Sequence, residues 1–494
     1  MSQLPVDCLN EIFECLADEK PSLQSCILVN RLWCKLSIKI LWRNVWNYST
    51  KNYRTLVAHL PTESKEMLHI NGINILTPTF KFPIFNYASF CKVISIEQVY
   101  CKIWYLLKNQ QSCLSQNLKV STNITAQEII KLFLKQVPSL KRLKISKFWQ
   151  FSSWQTPDTN FIFHPKAKDS LKYLSELHCT SNISPEFFAQ LSRISHNIVK
   201  LNVTIKNDIP NELAELISSQ KRLACSNIGI YNVSTDLIDL FLKKLPDTLT
   251  KLNLYGRVDI VSLSSIVNLT NLRVLQLKFA YGEWFKNFEI LEYIVFSQLQ
   301  ILKIFSACPK SESLIKFLKN NGKNLKEIYI CEDSGYSNNL LNLSISSFCP
   351  VLEKLSTGIK NNELDTLEII LDSCRYLKAI KIWCGDSYLK DKEALEAVMK
   401  YSKNISEIVL DYQDDVQTRM LPEDLEYIFT RYNSQRSVLL VVNNYFDIMN
   451  SLEKNSENMK IIRKYIGLGV IKEFKVIHCG DVESDTYISF YGIL

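Results

Sequence analysis

Glycine and proline are scarce in this chain, twelve and fourteen in 494 residues. So few chain breakers exclude long linkers and low-complexity regions, and 47% hydrophobic with 22% charged residues is the composition of a folded, soluble protein. No apolar run approaches membrane-spanning length, so no membrane partner is expected. The start, Met1-Ser2-Gln3-Leu4-Pro5, lacks the basic and apolar regions of a secretory signal. Fifteen cysteines are dispersed without one Cys-x-x-Cys, which argues against a disulfide framework. The expected setting is reducing, in the cytoplasm or the nucleus. A net charge of +8 is mild for this size, and no basic tail marks a nucleic-acid arm, so no nucleic-acid partner is expected.

Catalytic signatures are missing too. Gly467-Leu468-Gly469 has neither the third glycine nor the Lys-Ser/Thr of a phosphate loop, and there is no His-Glu-x-x-His or Gly-x-Ser-x-Gly. The six histidines are scattered. His178-Cys179 falls in a predicted repeat strand, where Cys179 takes a core position rather than a metal-ligand one. Asp411, Asp414 and Asp415 read as a solvated acidic turn. No cysteine sits where a low-pKa nucleophile is expected. The chain reads as non-catalytic, with no cofactor and no metal.

What is abundant is a recurring phrase, Leu-x-x-Leu-x-Leu with Ile or Val allowed. It runs from Leu140/Leu143/Ile145 through Leu249/Leu252/Leu254 and Leu272/Leu275/Leu277 to Ile405/Ile408/Leu410. After the first copy it returns at about 23–28 residues, inside the range of leucine-rich repeats. Helical segments lie before and between copies, among them Glu128–Leu134, Pro185–Ile194, Leu237–Leu242, Leu314–Leu318 and Leu364–Leu371. A strand alternating with a helix at this period predicts an α/β solenoid, parallel strands on a concave face and helices on a convex one. The polar residue usual three places beyond the last leucine is mostly missing: Ala280, Ala307 and Asp333 stand there, and Asn182 is the exception. Phe148–Asp169 reads as an inserted loop. The expected solenoid spans 138–433, after a connecting region (46–137) with degenerate first repeats and a strand near Met67–Gly72. A cap (434–494) with strands at 438–442 and 474–477 follows it.

Side chains alternate along a strand, so the third, fifth and seventh residues of each phrase face the concave surface. They include Lys251, Asn253 and Tyr255; Gln276 and Lys278; Lys303 and Phe305; Glu327 and Tyr329; Lys354; Lys381 and Trp383. Lysines and aromatics together suit a protein target carrying acidic or phosphorylated groups and apolar anchors. The alternative is an ordinary solvated face.

Residues 1–45 are different. Leu9, Ile12, Phe13 and Leu16 fall at i, i+3, i+4 and i+7, one stripe of a first helix entered at Pro5. Pro21 opens a second helix, and a third carries Trp33, Leu36 and Ile40. Three such helices enclose little volume and call for a docking partner. Leu4-Pro5, Leu9-x-x-Ile12-Phe13-x-x-Leu16 and Val29-Asn30-Arg31-Leu32-Trp33 resemble the F-box, and Leu41-Trp42-Arg43-Asn44 resembles the continuation in fungal-type F-box proteins with C-terminal leucine-rich repeats. Asn30 departs from the more usual Ser or Cys.

The resemblance implies a substrate-recognition subunit of a Skp–cullin–F-box E3 ubiquitin ligase. The head would dock on a Skp-type adaptor, and through it a cullin–RING ligase, while the repeats capture a target protein for ubiquitination. Carried over position by position, it implies Leu4, Pro5, Leu9, Ile12, Val29 and Trp33 as adaptor contacts, with Phe13 and Leu16 as core. The alternatives are that all of these are core of a helical cap, and that the chain is an interaction scaffold outside a ubiquitin ligase.

Overall fold

The structure, a computed structural model, describes residues 4–77, 83–109, 115–146, 158–257, 263–279, 285, 288–330, 336–402, 404–412, 420–432, 437–445 and 447–478. The chain falls into two compact units, Met1–Ser226 and Asn227–Leu494.

The N-terminal unit opens with α1 (Val6–Cys15), α2 (Lys20–Cys26) and α3 (Arg31–Leu41). Asn30 is the N-cap of α3, its side chain accepting the Trp33 N–H at 2.9 Å, which gives the departing asparagine a structural reason. Leu9, Phe13, Leu23, Leu36 and Ile40 fill a small core, and Leu16, Cys26 and Trp33 pack partly against it. After α3 the chain turns straight into the strand layer: the N–H groups of Lys92 and Val93 both donate to Arg43 O, at 2.8 and 3.1 Å. An Arg43–Glu14 ion pair ties that junction to α1, and Trp42 packs on Tyr48 and Tyr87. The head is thus built onto the first edge of the sheet.

That edge lies earlier than 138. The first strand is β1 (Val93–Ser95), followed in parallel by β2 (Arg142–Lys144), β3 (Glu176–Thr180) and β4 (Lys200–Lys206). The segment expected as a strand near Met67–Gly72 is a helix, Thr62–Ile70, because Pro61 and Glu63 start a helical turn and Leu68 alone is buried. Val99–Leu107 lies in a helix, Ile96–Lys108, as its apolar run suggests. Of the insertion, 147–157 lies outside the described residues; the rest forms a short turn and a helix, Ala167–Leu171.

β5 (Cys225–Tyr231) spans the boundary between the units. In the C-terminal unit β6 (Lys251–Arg257), β7 (Val274–Phe279), β8 (Ile301–Ser306), β9 (Glu327–Ile330) and β10 (Lys354–Thr357) follow in parallel. β11 (Ala379–Cys384), β12 (Glu407–Tyr412), β13 (Val438–Asn443) and β14 (Ile471–Ile477) continue the order. The last two strands extend the same ladder where a separate cap is expected. Phrase leucines stack in register, Leu252 beside Leu275, then Leu302, Ile328, Leu355, Ile380 and Ile408, each at most 2% exposed. The repeat is the unit of burial: one strand–helix pair cannot cover its own leucines, and its neighbours do.

Buried polar side chains tie down the segments that lead from each helix into the next strand. Ser170 Oγ donates to Leu134 O (2.6 Å) and Val137 O (2.9 Å), and Ser195 Oγ to Leu171 O (2.7 Å). Gln220 donates to Ser195 O (2.9 Å) and accepts from Ile198 N–H (3.0 Å). In the C-terminal unit Asn321 bonds Ile294 O and Phe296 N–H in the same way, at 2.8 and 2.7 Å. Each buried side chain satisfies backbone groups of the preceding repeat that would otherwise be orphaned.

Candidate functional site

The expected adaptor contacts divide. Leu4, Pro5, Ile12 and Val29 are exposed, Ile12 at 47% and Val29 at 57%. Leu9 is core, 6% exposed, because it lies one turn before Phe13 on the stripe that faces α2 and α3. Trp33 is half-buried, edge-on to Phe13 with ring centroids 5.2 Å apart. Leu16, expected as core, is partly exposed at the end of α1. Two exposed residues escaped the reading: Val6, and Leu28, which at 88% is the most exposed apolar side chain of the head. The Leu28-Val29 pair between two helices was the available signal.

On the sheet, the face opposite the helices is an array of rows, one residue per strand. Its aromatics lie sideways onto the preceding repeat. Tyr255 covers Gly229, where a Cβ would fall 2.7 Å from the Tyr255 ring, and Trp383 covers Gly358 and packs on Tyr388. Lys278 sits 5.6 Å from the centre of the Phe305 ring and Lys303 4.1 Å from that of Tyr329. Phe305 and Trp383 are therefore buried, not projecting anchors: the small or flexible residue one repeat earlier lets the ring lie flat. Lys381 is largely covered, its side chain 13% exposed, and pairs with the buried Asp411 at 2.7 Å, to which Asn443 donates at 3.2 Å. Asp411, expected in a solvated turn, is the next-to-last residue of β12 and sits inside this network, and Asp414 and Asp415 lie outside the described residues. Lys251, Tyr255, Lys278, Lys303, Tyr329 and Lys354 keep access to solvent, with Lys354 3.8 Å from Glu327.

The N-terminal unit carries a second array that the sequence reading passed over. Third positions of successive phrases place Arg142, Glu176 and Lys200 side by side. Glu176 accepts from Arg142 Nε (2.5 Å), Lys200 Nζ (3.0 Å) and the His178 ring (2.7 Å). The Asn202 amide donates to the other ring nitrogen, Nδ1, at 3.1 Å. Lys144 Nζ lies 4.6 Å from the centre of the exposed Trp46 ring. Laying the phrases over one another would have revealed this charge alternation.

Burial alone would raise the Glu176 carboxyl, but hydrogen bonds from His178, Lys200 and Arg142, with the guanidinium charge, outweigh it and hold the pKa at about 2. A depressed carboxylate stabilises the fold above its ordinary value of 4.5, and that contribution is lost as pH falls from there toward 2. Glu176→Gln should cost about 1–2 kcal/mol at neutral pH, a figure reduced for its partly exposed partners. Urea titrations at pH 7 and pH 3 should show the difference shrinking in acid.

Burial also pushes the Cys91 and Cys179 thiols up to about 12 and that of Cys374 to about 11. Among the described residues no three His, Cys, Asp or Glu side chains converge as a metal site, and no helix is long and apolar enough to cross a membrane.

No family model matches the chain, and no curated protein does. Among solved structures it is similar to the leucine-rich repeat-containing protein LegL7 from Legionella pneumophila, at 15% identity and TM-score 0.35, over 63% of this chain and 95% of that one. It is also similar to the TLR13 chain of a TLR13–ssRNA13 complex, at 17% identity and TM-score 0.38, over 69% of this chain and 47% of that one. The strand register, independent of these likenesses, carries the repeat fold.

Proposed function

We propose that this chain is the substrate-recognition subunit of a Skp–cullin–F-box ubiquitin ligase, with the head docking on a Skp-type adaptor and the sheet holding a target protein. The observation that carries the reading is on the head. Leu4, Val6, Ile12, Leu28 and Val29 are solvent-exposed although the head has a filled core of its own. Exposed apolar side chains on so small a body support a docking role over a purely internal one. The chain's part in ubiquitination is proximity: tethering raises the concentration of target lysines near a charged enzyme. The hydrogen-bonded junction at Arg43 suits this, since it ties the head to the first strand.

The test is co-purification of adaptor and cullin with the full chain. Ile12→Asp with Val29→Asp, both on the surface, should reduce adaptor capture at least tenfold or so while leaving the circular dichroism unchanged. Undiminished capture by that folded variant overturns the reading. The head's pairing with β1 favours a second reading, in which it serves chiefly to close the sheet edge of an interaction scaffold. Absence of cullin from the purified complex selects that one.

A further inference from the structure

Positive charge is unevenly divided along this chain. Residues 1–226 hold 27 Lys and Arg against 16 Asp and Glu, a net +11, whereas residues 227–494 hold 31 against 34, a net −3. The open strand face of the N-terminal unit shares the excess. Arg142 and Lys200 are served by the single carboxylate of Glu176, which His178 also uses, and Lys144 faces the neutral ring of Trp46. In the C-terminal unit Lys278 and Lys303 also face rings, but Lys354 and Lys381 each have a carboxylate from an adjoining strand, and Glu327 and Glu407 put two negative charges in the third-position row.

We infer that the open face of the N-terminal unit, around Arg142, Lys144 and Lys200, binds an acidic stretch of the target protein. The inference rests on the target-capture reading and moves the acid-recognising surface from β6–β11, where the lysine pattern first suggests it, to β2–β4. Adjacent strands stand about 4.8 Å apart, so the backbones at Arg142 and Lys200 lie roughly 10 Å from each other across β3, while their cationic groups converge on Glu176 between them. A segment crossing the strands meets both charges, with Lys144 and the exposed Trp46 beside them. The whole unit's field draws an acidic segment to this face, and salt weakens the attraction. Glu176 opposes such a ligand, since it occupies both cations and carries the same sign.

Fluorescence anisotropy with the full chain tests this. The probes are a glutamate-rich peptide, its glutamine counterpart, a phosphoserine peptide and a single-stranded RNA of similar charge. Tighter binding of either acidic peptide than of the glutamine peptide is expected, with a further loss of about tenfold or more in Arg142→Gln/Lys144→Gln/Lys200→Gln. Lys278→Gln/Lys303→Gln should stay within about twofold of the parent, and Glu176→Gln should bind several-fold tighter, roughly as removal of one opposing charge requires. Acidic-peptide binding that is absent, or unchanged in the triple variant, overturns the inference, as does tighter binding of RNA than of either peptide. Adaptor capture measured on the same triple variant should match the parent. Failure of adaptor capture in the parent alone counts against the ligase reading and leaves the peptide result standing.

Discussion

Gly256→Ala should unfold the C-terminal unit or destabilise it by about 3 kcal/mol or more, the largest effect expected of a single methyl group in this chain. Gly256 lies in β6 with φ +142°, a region that L side chains rarely adopt. A Cβ there would fall 2.0 Å from Ile230 O and 2.9 Å from Ile230 N and C, all backbone atoms. No rotamer change relieves a contact with backbone. The strand would have to move away from β5, and the pairing of Gly256 with Phe279 in β7 would be strained on the other side. Gly467→Ala is the control, since open space surrounds that position and its backbone is ordinary. Urea unfolding followed by circular dichroism should separate the two sharply. Equal midpoints for both variants would contradict the packing described for β5 and β6.

The repeat architecture was legible because its cause is periodic. A leucine at every phrase position has one place to go, and the register places those leucines side by side. What stayed hidden depends on neighbours rather than on period. Trp383 and Phe305 occupy positions that alternation assigns to the exposed face, and alternation does place them there. Whether a ring stands up or lies down is decided by the residue one repeat earlier, Gly358 or Lys278, which alignment of the phrases alone could expose. β1 escaped because Val93-Ile94-Ser95 is three residues long and carries no leucine phrase. In the head, spacing groups Leu9, Ile12, Phe13 and Leu16 on one stripe, yet so small a core buries only its centre. Leu9 and Phe13 turn inward, and Ile12 is left at the edge. That split is what makes Ile12 a usable surface probe and Leu9 an unsuitable one.

Trp383→Ala should cost about 3–5 kcal/mol, the range for removing a fully buried aromatic side chain. The ring is 0% exposed, lies on Gly358 and packs on Tyr388 at a centroid distance of 6.3 Å. Removing it leaves a hollow that the nearby backbone limits from closing, since even a Cβ on Gly358 would fall 2.8 Å from Tyr336 O and Leu389 N–H is tied to Ile359 O. Trp383→Phe should cost well under half as much, because the indole N–H is buried with no hydrogen-bond partner and phenylalanine gives up no bond there. The pair of variants decides between two roles for this residue. An anchor for a target protein would lose target capture in both variants with little change in urea midpoint. A packing residue loses midpoint in the alanine variant and keeps capture in the phenylalanine one. The burial favours the second outcome, and with it the view that Trp383 holds β10 and β11 in place under a surface that other residues present.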